Sequence, residues 1–426
     1  MTDRPTQGSS RGEQEQRRSR TLDEATVEDV RKRIGIPQRN RQKSHIDVVT
    51  ADTIRHYALG YGDDNPLYCE PDYAATTSWR GVIGAPMFAS AAGSPGWVEW
   101  TPEQAAAMRG GDPLGGMGQY MCGERWVFAR PIRPGMQVTK SQCLDSAELK
   151  HSEFADGVGA LVSHRIEFRD RATDSLLSTR YIDYWHAERD KTRSSGKYRN
   201  LTKHVYSADE LAEIDRLYEE EQVQGSSRRR WADLRVGDSL GVIAKGPFLL
   251  TDMITYHVAI GWGGFGGGSS RVAYKNRRRI PKFYTPNAEG VPDSAQRCHW
   301  DQDWAESLGH PAPYDYGAIR CNWMVNLLTN WVGDDGWIWK MSAAVIKFNY
   351  FGDWHRIQGH ITDLRTTPTT AEVDVEVEGT NQRGQVTCRA TATVLLPLEE
   401  SVTMHVPDFD LAQVPPAVVP TARAGS

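Results

Sequence analysis

Hydrophobic positions along the chain change period several times, and the changes come in the same order twice. Residues 1 to about 20 are polar and Ser/Arg/Gln-rich, with too little apolar surface to hold structure. LDEATVEDVRKRI (22–34) has helical spacing, with acids early and bases late as the helix dipole prefers. Residues 35–44 are basic and proline-containing and read as a linker. A first unit follows, from about 45 to 188. ADTIRHYALGYG (51–62) is spaced as a helix, GDDNP (62–66) as a turn, and the Pro-Gly of FARPIRPGMQV (128–138) as a turn into a strand. ALVSHRIEFRD and SLLSTRYIDYWHA then alternate as strands do. RDKTRSSGKYRN (189–200) is charged and small, a linker composition, and SADELAEIDRLYEEEQ (207–222) predicts a solvated helix. A second unit runs from about 229 to 398. It opens WADLRVGDSL, continues with helical spacing in FLLTDMITYHVAIGW, and closes with alternation in IKFNYFGDWHRIQGHITDL, AEVDVEVEG and QVTCRATATVLLPL.

Both units run helix, polar loop, apolar small-residue helix, glycine-containing turn, long strands. Two copies of one supersecondary unit in tandem is the simplest account. The expected boundaries are a tail at 1–21, an N-terminal unit at 22–188, a linker at 189–206, a C-terminal unit at 207–400 and a tail at 401–426. Residues 262–298, with the run GGFGGG and the basic KNRRR, read as an insertion peculiar to the second copy.

Composition narrows the function classes. The 426 residues are enough for two or three domains. A net charge of -5 gives no electrostatic reason to expect nucleic acid as a partner. No apolar run reaches the roughly 18 residues needed to span a bilayer, and MTDRPTQGSSRGEQEQRRSR is not a secretory signal. Cys69, Cys122, Cys143, Cys298, Cys321 and Cys388 are scattered and form no CxxC pair, which predicts reduced core thiols and a cytoplasmic location. Many of the 14 tryptophans lie between Trp300 and Trp354, so the second unit is expected to hold the better-built core or an apolar tunnel for a bulky acyl group.

YALGYGDDNPLYCEPDYAATTSWRGVIGAPMF (57–88) and HWDQDWAESLGHPAPYDYGAIRCNWM (299–324) carry a resemblance. They are similar to the signature of the MaoC-like acyl dehydratases, the enoyl-CoA hydratase 2 family, in its tandem form with a FAS1-like dehydratase region. The resemblance covers roughly 22–398. It implies an α+β fold, a double hot dog, in which each unit wraps a long antiparallel sheet around a central helix. It also implies reversible addition of water to a trans-2-enoyl thioester, with an Asp and a His sharing the water and a helix-start amide polarising the carbonyl. The residue types suit the chemistry. Water needs a positioned base, the α-carbon needs a proton, and the developing enolate needs a preformed donor.

By this resemblance Asp63 matches the catalytic Asp, and Asn65 with Pro66 the turn, Asn65 counting also as a substrate contact. Tyr68 stands where the family has His. His299 matches the His, but the residue five before it is Ser294, with Asp293 one position further. Three readings stay open: His299 working with an acid from the insertion, Asp293 first; Asp63 with Tyr68; or neither, in a non-catalytic hot-dog subunit that binds a thioester and supports a partner chain. A thioesterase on the same fold is a weaker fourth. Gly317 is the candidate oxyanion amide. Arg320 stands to contact a CoA phosphate or to pair with Asp315, and Lys275 and Arg277 stand to contact the CoA diphosphate or to form a solvated surface. GWGGFGGG (261–268) lacks the lysine of a phosphate loop and reads as a lid. Asp301 and Asp303 read as helix-start acids rather than metal ligands, and His355 and His360 as structural. The expected partners are an acyl-CoA or acyl-carrier thioester and a second copy or a partner hot-dog subunit, with no membrane. No cofactor is expected.

Overall fold

The computed structural model describes residues 22–39, 44–152, 157–188, 202–261, 270–368, 370–398, 406–407 and 414. The expected N-terminal tail, all of the C-terminal tail but residues 406–407 and 414, the linker residues 189–201 and the glycine run 262–269 lie outside the described residues. Ten strands form one sheet. They are β1 (Gly93–Pro95), β2 (Gly118–Phe128), β3 (Val138–Ser152), β4 (Gly157–Asp170), β5 (Leu176–Ala187), β6 (Ser239–Lys245), β9 (Trp337–Val345), β10 (His355–Thr366), β11 (Ala371–Asn381) and β12 (Val386–Leu396). The short strands β7 (Tyr284–Pro286) and β8 (Pro292–Ser294) pair as a separate hairpin in the insertion.

The sheet order is β1-β3-β4-β5-β2-β9-β12-β11-β10-β6. Read outward from the middle, the two halves have the same connectivity: β2, β5, β4, β3, β1 on one side and β9, β12, β11, β10, β6 on the other. The halves are joined edge to edge by the antiparallel β2/β9 pair, Gly123 opposite Ala344 through Val127 opposite Lys340. Pairing the last free edges inward hides the backbone groups that an open edge would expose. Alternation does what the sequence predicts. In β11, Val373, Val375 and Val377 are buried while Glu372, Asp374 and Glu376 point away. The chain is therefore α+β, a double hot dog.

The helices break the symmetry. In the second unit Gly317–Val332 is a 16-residue helix, buried along its length from Ala318 on, that ends at Gly333 with φ 75°. At the corresponding place the first unit has only a 3-10 turn, Pro86–Phe88, and Ala89–Ala92, which runs straight into β1. β1 joins β3 in parallel, whereas β6 joins β10 antiparallel.

The units meet through a second helix pair, Ala51–Gly60 and Leu250–Ala259. Each is followed by a glycine in the left-handed region, Gly62 (φ 78°) and Gly261 (φ 77°). A Cβ at Gly60 would lie 2.3 Å from that of Ala259, so only glycine permits this approach. The matching tyrosines, Tyr57 and Tyr256, meet on one asparagine. Tyr57 donates to Asn322 Oδ1 at 3.0 Å, and Asn322 Nδ2 donates to Tyr256 at 3.2 Å. Trp323 donates to the Tyr61 carbonyl at 3.1 Å, and Lys245 to the Gly62 carbonyl at 2.6 Å. These are bonds between buried polar groups that would be costly to leave unmade.

Candidate active site

The first-unit motif folds as its residue types dictate. Asn65 Oδ1 accepts from the Leu67 amide at 3.0 Å, and Pro66 takes the first position of the helix Pro66–Cys69. Asp63 is buried. Its oxygens accept from the Asn65 amide at 3.0 Å and from the Tyr61 hydroxyl at 2.9 Å. Burial is the main reason its carboxyl is pushed up to about 6, against the pull of the Asn65 amide and the Lys245 ammonium. Tyr68 is buried too, and burial pushes its phenol well above the usual range, so it stays protonated. Asn65, Tyr68 and Gly84 face a small cavity. Its far side is Thr329, Val332 and Gly333 at the end of the long helix, with Trp337 and Ile338. That helix end forms one wall of the space beside Tyr68.

The second unit brings a different set together. The hairpin β7/β8 leads into the 3-10 turn Ala295–His299, capped by Ser294 through its bond from the Gln296 amide at 3.1 Å. Buried Arg297 ties this hairpin down. Its guanidinium donates to the carbonyls of Thr285, Pro286 and Asp293 and lies 3.9 Å from the centre of the Trp304 ring. The insertion thus fixes the approach to His299 with an arginine clamp. It does not deliver the expected acid. Asp293 turns back to accept from the Ser294 amide, and no hydrogen bond or ion pair joins it to His299 among the described residues. The reason is local: a carboxylate one residue before a helical turn satisfies that turn's free amides.

His299 packs between Tyr314 and Tyr316, with ring centres 4.9 and 4.0 Å away. Its Nδ1 lies 2.8 Å from the Tyr314 carbonyl. A carbonyl only accepts, so Nδ1 carries the proton, and in the neutral ring Nε2 is the base. Burial lowers the imidazole to about 4, opposed by the Tyr314 carbonyl and Asp315. Tyr316 is the residue before Gly317, where the long helix starts without a side-chain cap. Gly317 packs against Val345, 3.2 Å from a Cβ built there. His299 therefore stands beside a helix start whose amides are not taken by a capping side chain.

Sequence reasoning missed two residues here. His257 Nδ1 lies 3.1 Å from the Tyr316 hydroxyl, and its ring also meets Trp300 edge-on. His310 is 4.5 Å from Tyr314 and from Phe348, and is held near 4 by burial. The helical spacing of FLLTDMITYHVAIGW fixes His257 one residue after Tyr256, but only the tertiary fold sets it against Tyr316.

Arg320 is a correction. It is 2% exposed and does not reach toward a ligand. Nε and Nη2 hold Asp315 at 2.8 and 3.1 Å, and Nη1 donates to the carbonyls of Lys347 and Thr387. Asp315 also accepts from Asn349 at 3.0 Å, so it is fully engaged. Lys275 and Arg277 lie on the largely exposed helix Ser270–Arg279, with Arg277 over the Tyr274 ring at 5.8 Å. Asp301 caps the helix Gln302–Ser307 through the Trp304 amide at 2.8 Å, and His355 is buried against Thr387 at 2.6 Å.

Residues 40–175 match the family model described as FAS1-like, dehydratase domain region. A solved structure named MaoC-like dehydratase superposes with a TM-score of 0.57 at 17% identity, covering 85% of this chain and 98% of its own. The fold is that of a MaoC-like dehydratase. A putative MaoC domain protein dehydratase from Chloroflexus aurantiacus J-10-fl agrees, with a TM-score of 0.50 at 13% identity over 86% of this chain and 96% of that one. No curated protein matches. The matched family region covers the first unit's sheet as far as the β4–β5 turn; the MaoC-like fold continues through the second. No helix among the described residues is long and apolar enough to cross a membrane.

Proposed function

We propose that the protein is an acyl-thioester hydro-lyase, adding water to a 2-enoyl thioester or removing it from a 3-hydroxyacyl thioester, at the second unit. One observation carries this reading: His299, neutral and with Nε2 as its basic nitrogen, stands at the uncapped start of the buried helix Gly317–Val332. In hydration, Nε2 takes a proton from water as the water oxygen bonds to the β-carbon. The electron pair of the double bond moves to the α-carbon and carbonyl, and the Gly317 amide receives the charge on the thioester oxygen. The imidazolium then gives its proton to the α-carbon, so one water supplies both new substituents and His299 ends neutral. Dehydration reverses each step.

The first unit serves in this reading as the structural partner. Asp63 is bound by Tyr61 and the Asn65 amide, and the end of the long helix narrows the space beside Tyr68 to a small cavity. CoA or a carrier protein bears the acyl group, and Lys275 and Arg277 meet the diphosphate when it is CoA. The chain acts in the cytoplasm, as a pseudo-dimer that pairs with a second copy or another hot-dog subunit. One observation favours the non-catalytic alternative: among the described residues no carboxylate pairs with His299, and Asp315 is held by Arg320 and Asn349.

The test is hydration of a panel of trans-2-enoyl-CoAs, followed by the loss of enoyl absorbance. Turnover by wild type and a loss of about 10²–10⁴-fold in His299→Ala is expected for removal of a general base. Turnover unchanged in His299→Ala would contradict the assignment.

A further inference from the structure

The short helix of the first unit leaves part of its sheet without a counterpart to the long helix. Cross-strand partners share a face, so the register places Gln142, Ile166, Arg180 and Trp126 in one row on the helix side of the sheet. Lys140 belongs to the next row of that face, opposite Phe168, and Tyr184 lies further along β5 on the same side.

Two cations of this face have more binding capacity than the protein uses. Arg180 donates through Nε to Glu124 at 2.6 Å, and Glu124 also accepts from Trp126 Nε1 at 3.0 Å. Among the described residues Arg180 makes no other hydrogen bond or ion pair, so both terminal nitrogens are unpartnered. Lys140 makes none at all. Neither Arg180 Nη nor Lys140 Nζ is sealed from solvent, whereas Glu124 Oε1 is both buried and unpaired. Burial, and next to it the Arg180 guanidinium, hold the Lys140 ammonium below the usual lysine range. Two positive charges thus lie near each other in a partly covered place, and only Arg180 has a carboxylate, Glu124; a partly buried cation without a partner is costly unless an anion joins it.

The position relates this pair to the proposed site. Arg180 lies within electrostatic reach of Tyr256 and Tyr57. Both tyrosines bond Asn322, five residues along the helix that begins at Gly317. Five residues of helix rise about 7.5 Å, the reach of a short acyl chain. That reach separates Gly317 from the asparagine that holds the two tyrosines near Arg180.

Resting on the hydro-lyase reading above, we propose that Arg180 and Lys140 form an anion subsite for the acyl group, and that the substrate is a 2-enoyl thioester whose acyl chain carries a carboxylate. A guanidinium fork and an ammonium suit a carboxylate, one in bidentate geometry and the other as a point charge.

The test compares an enoyl-CoA that ends in a carboxylate with its methyl ester, in wild type and Lys140→Met. Lys140 is chosen because it makes no ion pair whose loss would disturb the fold; Arg180→Lys, which keeps a cation for Glu124, is the second variant. Wild type is expected to prefer the carboxylate by at least about tenfold in kcat/KM. Lys140→Met is expected to lose most of that preference while its rate on the ester is unchanged. Equal rates on acid and ester in wild type, or a preference intact in both variants, would overturn the proposal. The same pair is also made as pantetheine thioesters. A preference that persists there supports a subsite for the acyl group; one seen only with CoA assigns the cations to phosphate and overturns it. Should the chain turn over neither compound, the hydro-lyase reading fails separately. Binding of the saturated acid and ester then decides: tighter binding of the acid, weakened in Lys140→Met, supports the subsite, and equal binding rejects it.

Discussion

Asp63 is a buried and His299 a partly buried ionisable group, and loss of solvent moves their pKa values in opposite directions. The Asp63 carboxyl is raised to about 6 and the His299 imidazole lowered to about 4. This separates the two candidate bases by measurement. If His299 is the base, kcat/KM falls on the acid side with an apparent pKa near 4; a limb near 6 would instead point to Asp63. Stability gives an independent reading of Asp63. Its folded pKa lies above the unfolded value, so the charged form is disfavoured by folding. The cost is absent below about 4, grows as pH rises to about 6 and is complete above it. Asp63→Asn removes that cost. Relative to wild type, the variant is expected to gain about 2–3 kcal/mol in urea unfolding on going from pH 4 to pH 7. An unchanged difference would mean that Asp63 titrates normally.

At the scale of elements, the seam between units depends on close approach. Gly60→Ala puts two methyl groups 2.3 Å apart, and the helices must separate. A loss of about 1–3 kcal/mol is expected, with most of it recovered in Gly60→Ala/Ala259→Gly, as a double-mutant cycle in denaturant would show. The Arg320–Asp315 pair is a second such element, fixing the first turns of the long helix to β9–β10 and β12 residues through the Lys347 and Thr387 carbonyls. Asp315→Ala strands a buried guanidinium and is expected to cost about 3–5 kcal/mol. The tandem units, the long strands of both and the two paired helices were legible because each has its own hydrophobic period. The truncated helix of the first unit was not: PMFASAAG is apolar and small, and such a run does not state its own length or what covers the adjoining sheet. Asp293 failed for a related reason. Its distance from His299 in sequence was right within one residue, but a side chain at the mouth of an insertion is aimed by the nearest free amides. Arg320 had two readings in sequence, and burial chose the pairing.

For the whole molecule, burial of neutral histidines predicts a loss of stability in acid. His186, His299 and His310 are each held near 4 by burial. The unfolded chain binds protons at these rings below about 6.5 while the native chain does not, so stability falls as pH drops from about 6.5 toward 4. Each ring contributes up to about 3 kcal/mol in the acid limit. His164, His257 and His355 are lowered by burial as well and act in the same direction, while Asp63, Asp145, Glu221 and Asp334, whose carboxyls burial raises, oppose it. The urea midpoint, followed by tryptophan fluorescence, is expected to decrease steadily from pH 6.5 to 4.5; a flat or rising midpoint would show that these rings are solvated. The same asymmetry marks the fold as a whole. One ten-stranded sheet runs through both halves, yet among the described residues only the second half keeps a full central helix, and it is at the start of this helix that the proposed site lies.

That division of labour is the central claim, and side-by-side hydration rates of His299→Ala and Asp63→Ala on the best enoyl-CoA test it most directly. Activity lost in His299→Ala and kept within a few-fold in Asp63→Ala is the predicted result. Activity lost only in Asp63→Ala would move the active site to the first unit and contradict the account.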